Sequence, residues 1–248
     1  MQLNHQEAET MNHSRTRTII TLGAVAFLAL AATACDPDAD QANTAPESKS
    51  FAFSGDSLTV KSTSADLDLI AADVDDIEVE RRVSGTKIGG EIDAGWQYED
   101  GVLTLSVDCD GVSVNCDAKY TVKVPRDVAV TAEYGNSAVQ VSNLGGAALH
   151  LEGRDGTVQG DGITAASVSV VSRNGDTDLD LTSVPDRVDV QSQDGNVQLG
   201  LPASAYAVRT AAKKGDVTVD VADDSTSSHR VNVQTRNGDI DISEGASS

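Results

Sequence analysis

Residues 167–201 read SVSVVSRNGDTDLDLTSVPDRVDVQSQDGNVQLGL, and this stretch states one pattern twice. Val168 and Val170 alternate with serines, the pair Asn174-Gly175 interrupts the run, and Leu179 and Leu181 then alternate with aspartates. Twenty residues on, Val188 and Val190, Asp194-Gly195, and Val197, Leu199 and Leu201 do the same. Alternation with a period of two sends the aliphatic side chains to one face of a strand and their polar neighbours to the other. A Gly preceded by Asn or Asp suits a corner that needs positive φ.

The pattern extends in both directions. Gly135, Gly156, Gly175, Gly195, Gly215 and Gly238 occupy matching contexts, with successive spacings of 21, 19, 20, 20 and 23. Counted from each glycine, positions −7 and −5 are Val128 and Val130, Leu149 and Leu151, Val168 and Val170, Val188 and Val190, Val208 and Thr210, and Val231 and Val233. Eleven of these twelve are apolar, where a composition of 39% hydrophobic residues gives about five by chance. Valines and leucines at +2, +4 and +6, such as Val217, Val219 and Val221, form a second strand in each unit. One unit cannot bury its apolar face alone, but stacked units can. An antiparallel sandwich also has short alternating strands, yet it does not require the same offsets to recur. The fold class expected is therefore all-β, a parallel β-solenoid (β-helix) of about 20-residue, two-strand rungs, with helices nearly absent. Val190 should then be interior and Asp189 beside it should face solvent.

Ahead of the regular units, Leu67, Leu69, Ile77 and Val79 repeat the two-strand spacing more loosely. Cys109 and Cys116 lie seven apart, and with no further thiol nearby they are expected to form a disulfide. The expected setting is a hairpin, with Val102, Leu103, Leu105 and Val107 on one arm, Tyr120, Val122 and Val124 on the other, and the bridge stapling their connection. The recurrent [N/D]-G-x-[V/L/I]-x-[V/L/I] unit and the lead-in Tyr120-Thr-Val-Lys-Val-Pro125 resemble a bacterial family of adhesin-type β-solenoid domains of unknown function. The resemblance covers roughly residues 55–242 and implies an exported or membrane-attached protein. It carries no binding residue with it.

The N-terminus reads as a processing segment. No charged residue occurs from Ile19 to Ala34, Arg15 and Arg17 precede this run, and Asp36, Asp38 and Asp40 follow it. Sixteen apolar or neutral residues are short for a membrane span and fit a secretory signal, with Met11 as the expected start of its n-region. Ala32-Thr33-Ala34-Cys35 resembles the lipobox of bacterial lipoproteins, with Ala32 at the position usually held by Leu; Cys35 is the expected lipidation site. The domains expected are 1–34, signal peptide; 35–50, lipidated cysteine and flexible tether; 51–124, first solenoid turns with the hairpin insert; 125–243, regular repeats; and 244–248, disordered tail.

Acidic residues outnumber basic ones 39 to 18, and the net charge of −21 disfavours a nucleic-acid partner. Gly55-Asp56-Ser57-Leu58 copies a serine-esterase motif, but the histidine that such chemistry needs is not spaced to match it, and Ser57 reads as a turn residue. Asp176, Asp178 and Asp180 alternate along one strand; the calcium-binding nonapeptide is absent, so they read as a solvated acidic face and no metal site is expected. Position −2 holds Arg154, Arg173, Gln193, Lys213 and Arg236, which stacking would align as a basic column able to take an anionic ligand. The bland alternative is neutralisation of that column by Asp176, Asp216 and Asp239 at position +1. The function expected is a non-enzymatic, cofactor-free, lipid-anchored surface module, adhesin-like in binding or spacing, on the outer face of the cell membrane. Its partners would be the membrane, through Cys35, and a cell-wall or envelope protein ligand. An envelope sensor or accessory subunit is the alternative, and a solenoid glycan lyase the third.

Overall fold

The computed structural model describes residues 45–88, 92–109 and 112–245; the expected signal peptide, the Cys35 lipobox and most of the tether lie outside them. The described residues are all-β. In chain order the strands are β1 (Glu47–Phe51), β2 (Ser57–Ser62), β3 (Asp66–Ala72), β4 (Ile77–Ile88), β5 (Ile92–Glu99), β6 (Val102–Cys109), β7 (Val112–Pro125), β8 (Ala129–Asn136), β9 (Val139–Ser142) and β10 (Ala148–Asp155). There follow β11 (Val158–Ile163), β12 (Ser167–Asn174), β13 (Thr177–Leu181), β14 (Arg187–Asp194), β15 (Val197–Leu201), β16 (Ala205–Lys214), β17 (Val217–Asp220), β18 (Ala222–Asp223), β19 (Arg230–Asn237) and β20 (Ile240–Glu244).

They form two ten-stranded sheets. The first has the order β1-β4-β7-β3-β9-β11-β13-β15-β20-β17, and the second β18-β16-β19-β14-β12-β10-β8-β2-β6-β5. Pairing is parallel except where β1, β4 and β5 close one end antiparallel. In the regular region each repeat sends one strand to each sheet, and its inward residues meet those of its neighbours: Val168 pairs with Val188, and Val170 with Val190. Val168, Val170, Val188, Val190, Leu199 and Ile242 are each at most 1% exposed. The core is the single aliphatic layer between the sheets.

The corner between the two strands of a repeat decides how closely levels stack. At Gly175 φ is +114°, and a Cβ built there would lie 2.1 Å from the Gly156 carbonyl oxygen; at Gly195 the same atom would lie 2.1 Å from the Gly175 carbonyl oxygen. No side chain fits in that space, and an L residue resists that φ as well.

Four expectations need correction. The first regular unit has its corner at Ser137, not Gly135: Leu149 pairs with Val130, Leu151 with Ala132, and a Cβ on Gly156 would meet the Ser137 carbonyl oxygen at 2.0 Å. Gly135 instead clears the Thr63 backbone. Second, β6 and β7 are not two arms of one hairpin. They lie in different sheets, and the Cys109–Cys116 disulfide, with Cα atoms 6.4 Å apart, joins the end of β6 to β7. The tight hairpin is β5–β6, where Asp100 and Gly101 both have positive φ. Third, the stretch read as tether already contains β1, paired with β4.

Fourth, stacking does not follow the sequence at either end. β2 and β3 insert between β6/β7 and β8/β9, while β19 and β20 insert between β14/β15 and β16/β17. The levels nearest the two chain ends are thus second from the ends of the stack. The end beyond β6/β7 is covered: the Arg81 guanidinium lies 4.2 Å from the Trp96 ring centroid, donates to the Ala94 carbonyl, and reaches Glu47 Oε2 at 2.6 Å. The Tyr120 hydroxyl beneath lies 2.9 Å from both the Gly95 and the Ser106 carbonyl oxygens, and burial pushes its pKa up to about 12. The end formed by β16 and β17 has no such cover among the described residues.

Gly175→Ala is expected to destabilise by about 2–4 kcal/mol, because strain and a backbone clash act together, whereas Gln191→Ala on the exposed face should stay within about 0.5 kcal/mol. Urea unfolding of the two variants measures the difference.

Candidate functional site

The insertion of β19 between β14 and β16 assembles a site that no consecutive stretch contains. Arg187 and Arg230, the first residues of their strands, are register partners, and Arg230 is in turn partnered by Ala207. In the next outward row Asp189, Asn232 and Arg209 are partners, and beyond them Gln191, Gln234 and Ala211. All point away from the core because Val188, Val190, Val231 and Val233 point into it. The loop before β19 raises a wall beside them. Asp224 shapes it, accepting from the Thr226 N–H at 2.9 Å and the Thr226 hydroxyl at 2.7 Å, which lowers the Asp224 pKa. The Ser227 hydroxyl donates to the Ala205 carbonyl at 2.7 Å. The groove so enclosed has a volume of about 640 Å³.

Its electrostatics are uneven. The Asp189 carboxylate is clamped by Arg187, whose second nitrogen lies 3.1 Å away, and by Asn232 at 3.2 Å, and it is only 18% exposed. Asp189 is expected to face solvent, and its side chain does point outward, held there by Arg187 and Asn232. Arg209 and Arg230 have no carboxylate within ion-pair distance among the described residues. Two uncommitted guanidiniums therefore face one groove of a strongly acidic protein. Each offers a planar fork of donors that matches a carboxylate or phosphate. Sequence reasoning missed this cluster: β16 and β19 are neighbours in either stacking order, but only the altered order sets Arg230 against Arg187 and parts Arg209 from Asp189.

The expected basic column is exposed on the same face, nearer the glycine corners: Arg236 lies about 20 Å along the strand from Arg230, and Lys213 about 13 Å from Arg209. Its spatial order is Arg154, Arg173, Gln193, Arg236, Lys213, so Arg236 sits inside the chain's last two basic positions and Lys213 at the end. Among the described residues the position +1 acids make no ion pair with it. They form a ladder instead: Asp176 Oδ1 accepts from the Asn196 N–H at 2.7 Å, Asn196 Oδ1 from the Asp239 N–H at 2.9 Å, and Asp239 Oδ1 from the Asp216 N–H at 2.8 Å.

Asp178 and Asp180 extend the acidic row on the opposite sheet, and among the described residues no cluster of His, Cys, Asp and Glu is arranged to hold a metal ion. Ser57 opens β2 with an exposed side chain. His150, on β10, has its Nε2 3.7 Å from Glu152, and His229 points Nδ1 at the Pro185 carbonyl oxygen, 2.8 Å away. The structure does not bring Ser57 and either histidine together.

These residues belong to a recognised group. Residues 46–248 match the profile of the Toastrack DUF4097 family, and the chain belongs to that family. Among solved structures, a candidate cell adhesion protein from Clostridium sporogenes is 12% identical, covering 81% of this chain and 100% of its own, with a TM-score of 0.46. A candidate adhesin from Bacteroides fragilis is also 12% identical, covering 82% of this chain and 98% of its own, with a TM-score of 0.43. One from Parabacteroides merdae, again 12% identical, covers 79% and 97%, with a TM-score of 0.33. No curated protein sequence matches the chain.

Burial, with Asp161 and Asp178 adding like charge, raises the Asp180 pKa above its ordinary value of 3.8. The folded state therefore binds this proton more tightly than the unfolded chain. Asp180 lowers stability as pH rises through the interval between its unfolded and raised folded values. Asp180→Asn is expected to raise the melting temperature at neutral pH and to lose that advantage below pH 3.8, measured by thermal scans across pH.

Proposed function

We propose that the chain is a lipid-anchored, non-enzymatic module of the bacterial cell surface, adhesin-like in that it presents a rigid binding face to an anionic envelope ligand. In this reading its two sheets are the two sides of a solenoid with turns of about twenty residues. The single observation that carries the reading is the groove in which Arg209 and Arg230 stand free of carboxylates. A carboxylate or phosphate group of a cell-wall polymer or envelope protein suits it. The Cys109–Cys116 disulfide supports export, since such bonds persist in oxidising compartments. The uncharged run ending at Cys35 supplies the anchor.

A glycan lyase needs a free base beside its cations. The one carboxylate of the groove, Asp189, is held by Arg187, and no lysine or tyrosine lines it. Binding without turnover fits those residues better.

Two measurements test the proposal. Cys35→Ala should abolish fatty-acid labelling and release the protein from membranes; a variant that stays membrane-bound contradicts the anchor. Arg230→Ala should weaken retention of the full chain on purified cell-wall material about tenfold at low salt, with the difference shrinking as salt is raised. Retention unchanged by the substitution would contradict the groove as the binding site.

A further inference from the structure

The end of the stack opposite the Arg81–Trp96 cover carries a surface the groove does not explain. Val217 and Val219, the inward residues of β17, are 43% and 38% exposed, while their counterparts one level in, Ile240 and Ile242, are at most 1% exposed. Among the described residues no strand pairs with the outer edge of β17. On β16, β18 covers only Ala205 and Tyr206, and Asp223 Oδ1 accepts from the Val208 N–H at 3.2 Å. From Arg209 to Lys213, and along all of β17, the backbone edge is open. Such an edge, with apolar side chains behind it, is a template for another strand.

We propose that this open end joins two copies of the chain, β16 of each pairing antiparallel with β17 of the other. A two-fold axis along the strand direction, midway between the sheets, lays the strands so. Matching the two Gly215 corners sets the register. Inward, Thr210 and Ala212 then meet the partner's Val219 and the partner's Val217. Outward, Arg209 meets the partner's Asp220 and Lys213 meets the partner's Asp216, and the symmetry repeats both contacts. The outward residues of the two strands thus carry opposite charge at the positions brought together. Shifting the register by two residues either way keeps the apolar pairing and loses both charge pairs. The contact is two-fold and uses this end of both copies, so it ends at a dimer instead of growing into a fibre. The surface is narrow beside a standard interface of about 1,600 Å², so the dimer is weak.

β1, where the described chain begins, lies at the closed end. Dimerisation therefore points the two N-termini apart. If each is anchored, which rests on the function proposed above, the contact links molecules standing on two facing surfaces.

Sedimentation velocity of the full chain in mild detergent, from micromolar to millimolar concentration, tests the pairing. The unmodified protein should dimerise with concentration. Arg209→Asp alone and Asp220→Arg alone should each weaken the dimer about tenfold or more, because like charges then face each other twice. An equimolar mixture of the two variants should restore it, since every contact in the mixed pair again joins opposite charges. Misfolding of either variant cannot produce that rescue. A monomer at all concentrations, a dimer indifferent to both substitutions, or a mixture no better than its components would overturn the proposal. Because Cys35→Ala should leave the dimer intact, failure of the anchor and failure of the pairing are told apart.

Discussion

At each glycine corner the backbone of one level passes so close to a carbonyl oxygen of the next that a methyl group would sit about 2 Å from it. Everything else in the stack follows from that approach. It holds the strands of neighbouring levels in register, so that valine lies on valine from one repeat to the next and aliphatic side chains fill most of the interior. It also aligns the side chains just after the corner, so that Asp176, Asn196 and Asp239 each accept a backbone N–H from the next level. The acidic residues at the corner are therefore structural acceptors as well as surface charge. Only the first regular corner, Ser137, does without glycine, and its hydroxyl is left buried without a hydrogen-bond partner.

The repeats are alike enough in their core-facing residues that their order in space is free to differ from their order in the chain. Both ends use this freedom. Inserting β2/β3 and β19/β20 one level inward ties these levels between paired neighbours on both sides, at the cost of contacts that form only after distant segments have met. The two ends are finished differently. One receives antiparallel strands, the only tryptophan and an arginine that bridges them. The other is left with a charged edge and two half-exposed valines. The same rearrangement that opens that edge sets Arg230 against Arg187 and parts Arg209 from Asp189, so the binding groove and the pairing edge share one origin.

The alternation in residues 167–201 was enough to place the core, the sheet faces and the glycine corners of the regular units. It failed where a local signal imitated the repeat. Tyr134-Gly135-Asn136 looks like a corner, yet Gly135 clears the Thr63 backbone and the turn comes two residues later. The apolar arms around Cys109 and Cys116 looked like a hairpin because alternating strands read alike whether they pair with each other or face each other across a core. Stacking order was illegible for the same reason: Val231 and Val233 fit equally well on β14 or on β16. One trace of it was present. Thr210 is the sole polar residue among the twelve inward positions, and it belongs to the level that is left exposed. The arginine groove depends on that order for the contact of Arg187 with Arg230 and for the distance of Arg209 from Asp189, which no spacing in the sequence announced, whereas the basic column needed only the period.

The order of levels is the claim on which both the groove and the open end rest, and disulfide trapping tests it directly. Gln191 and Gln234 are register partners on adjacent strands, as are Gln234 and Ala211, while Gln191 and Ala211 are separated by β19. Cysteines at 191 and 234, introduced as Gln191→Cys with Gln234→Cys, should cross-link rapidly under mild oxidation. Gln191→Cys with Ala211→Cys should not. Rapid cross-linking of the second pair and none of the first would mean that the levels stack in chain order, and would contradict the account.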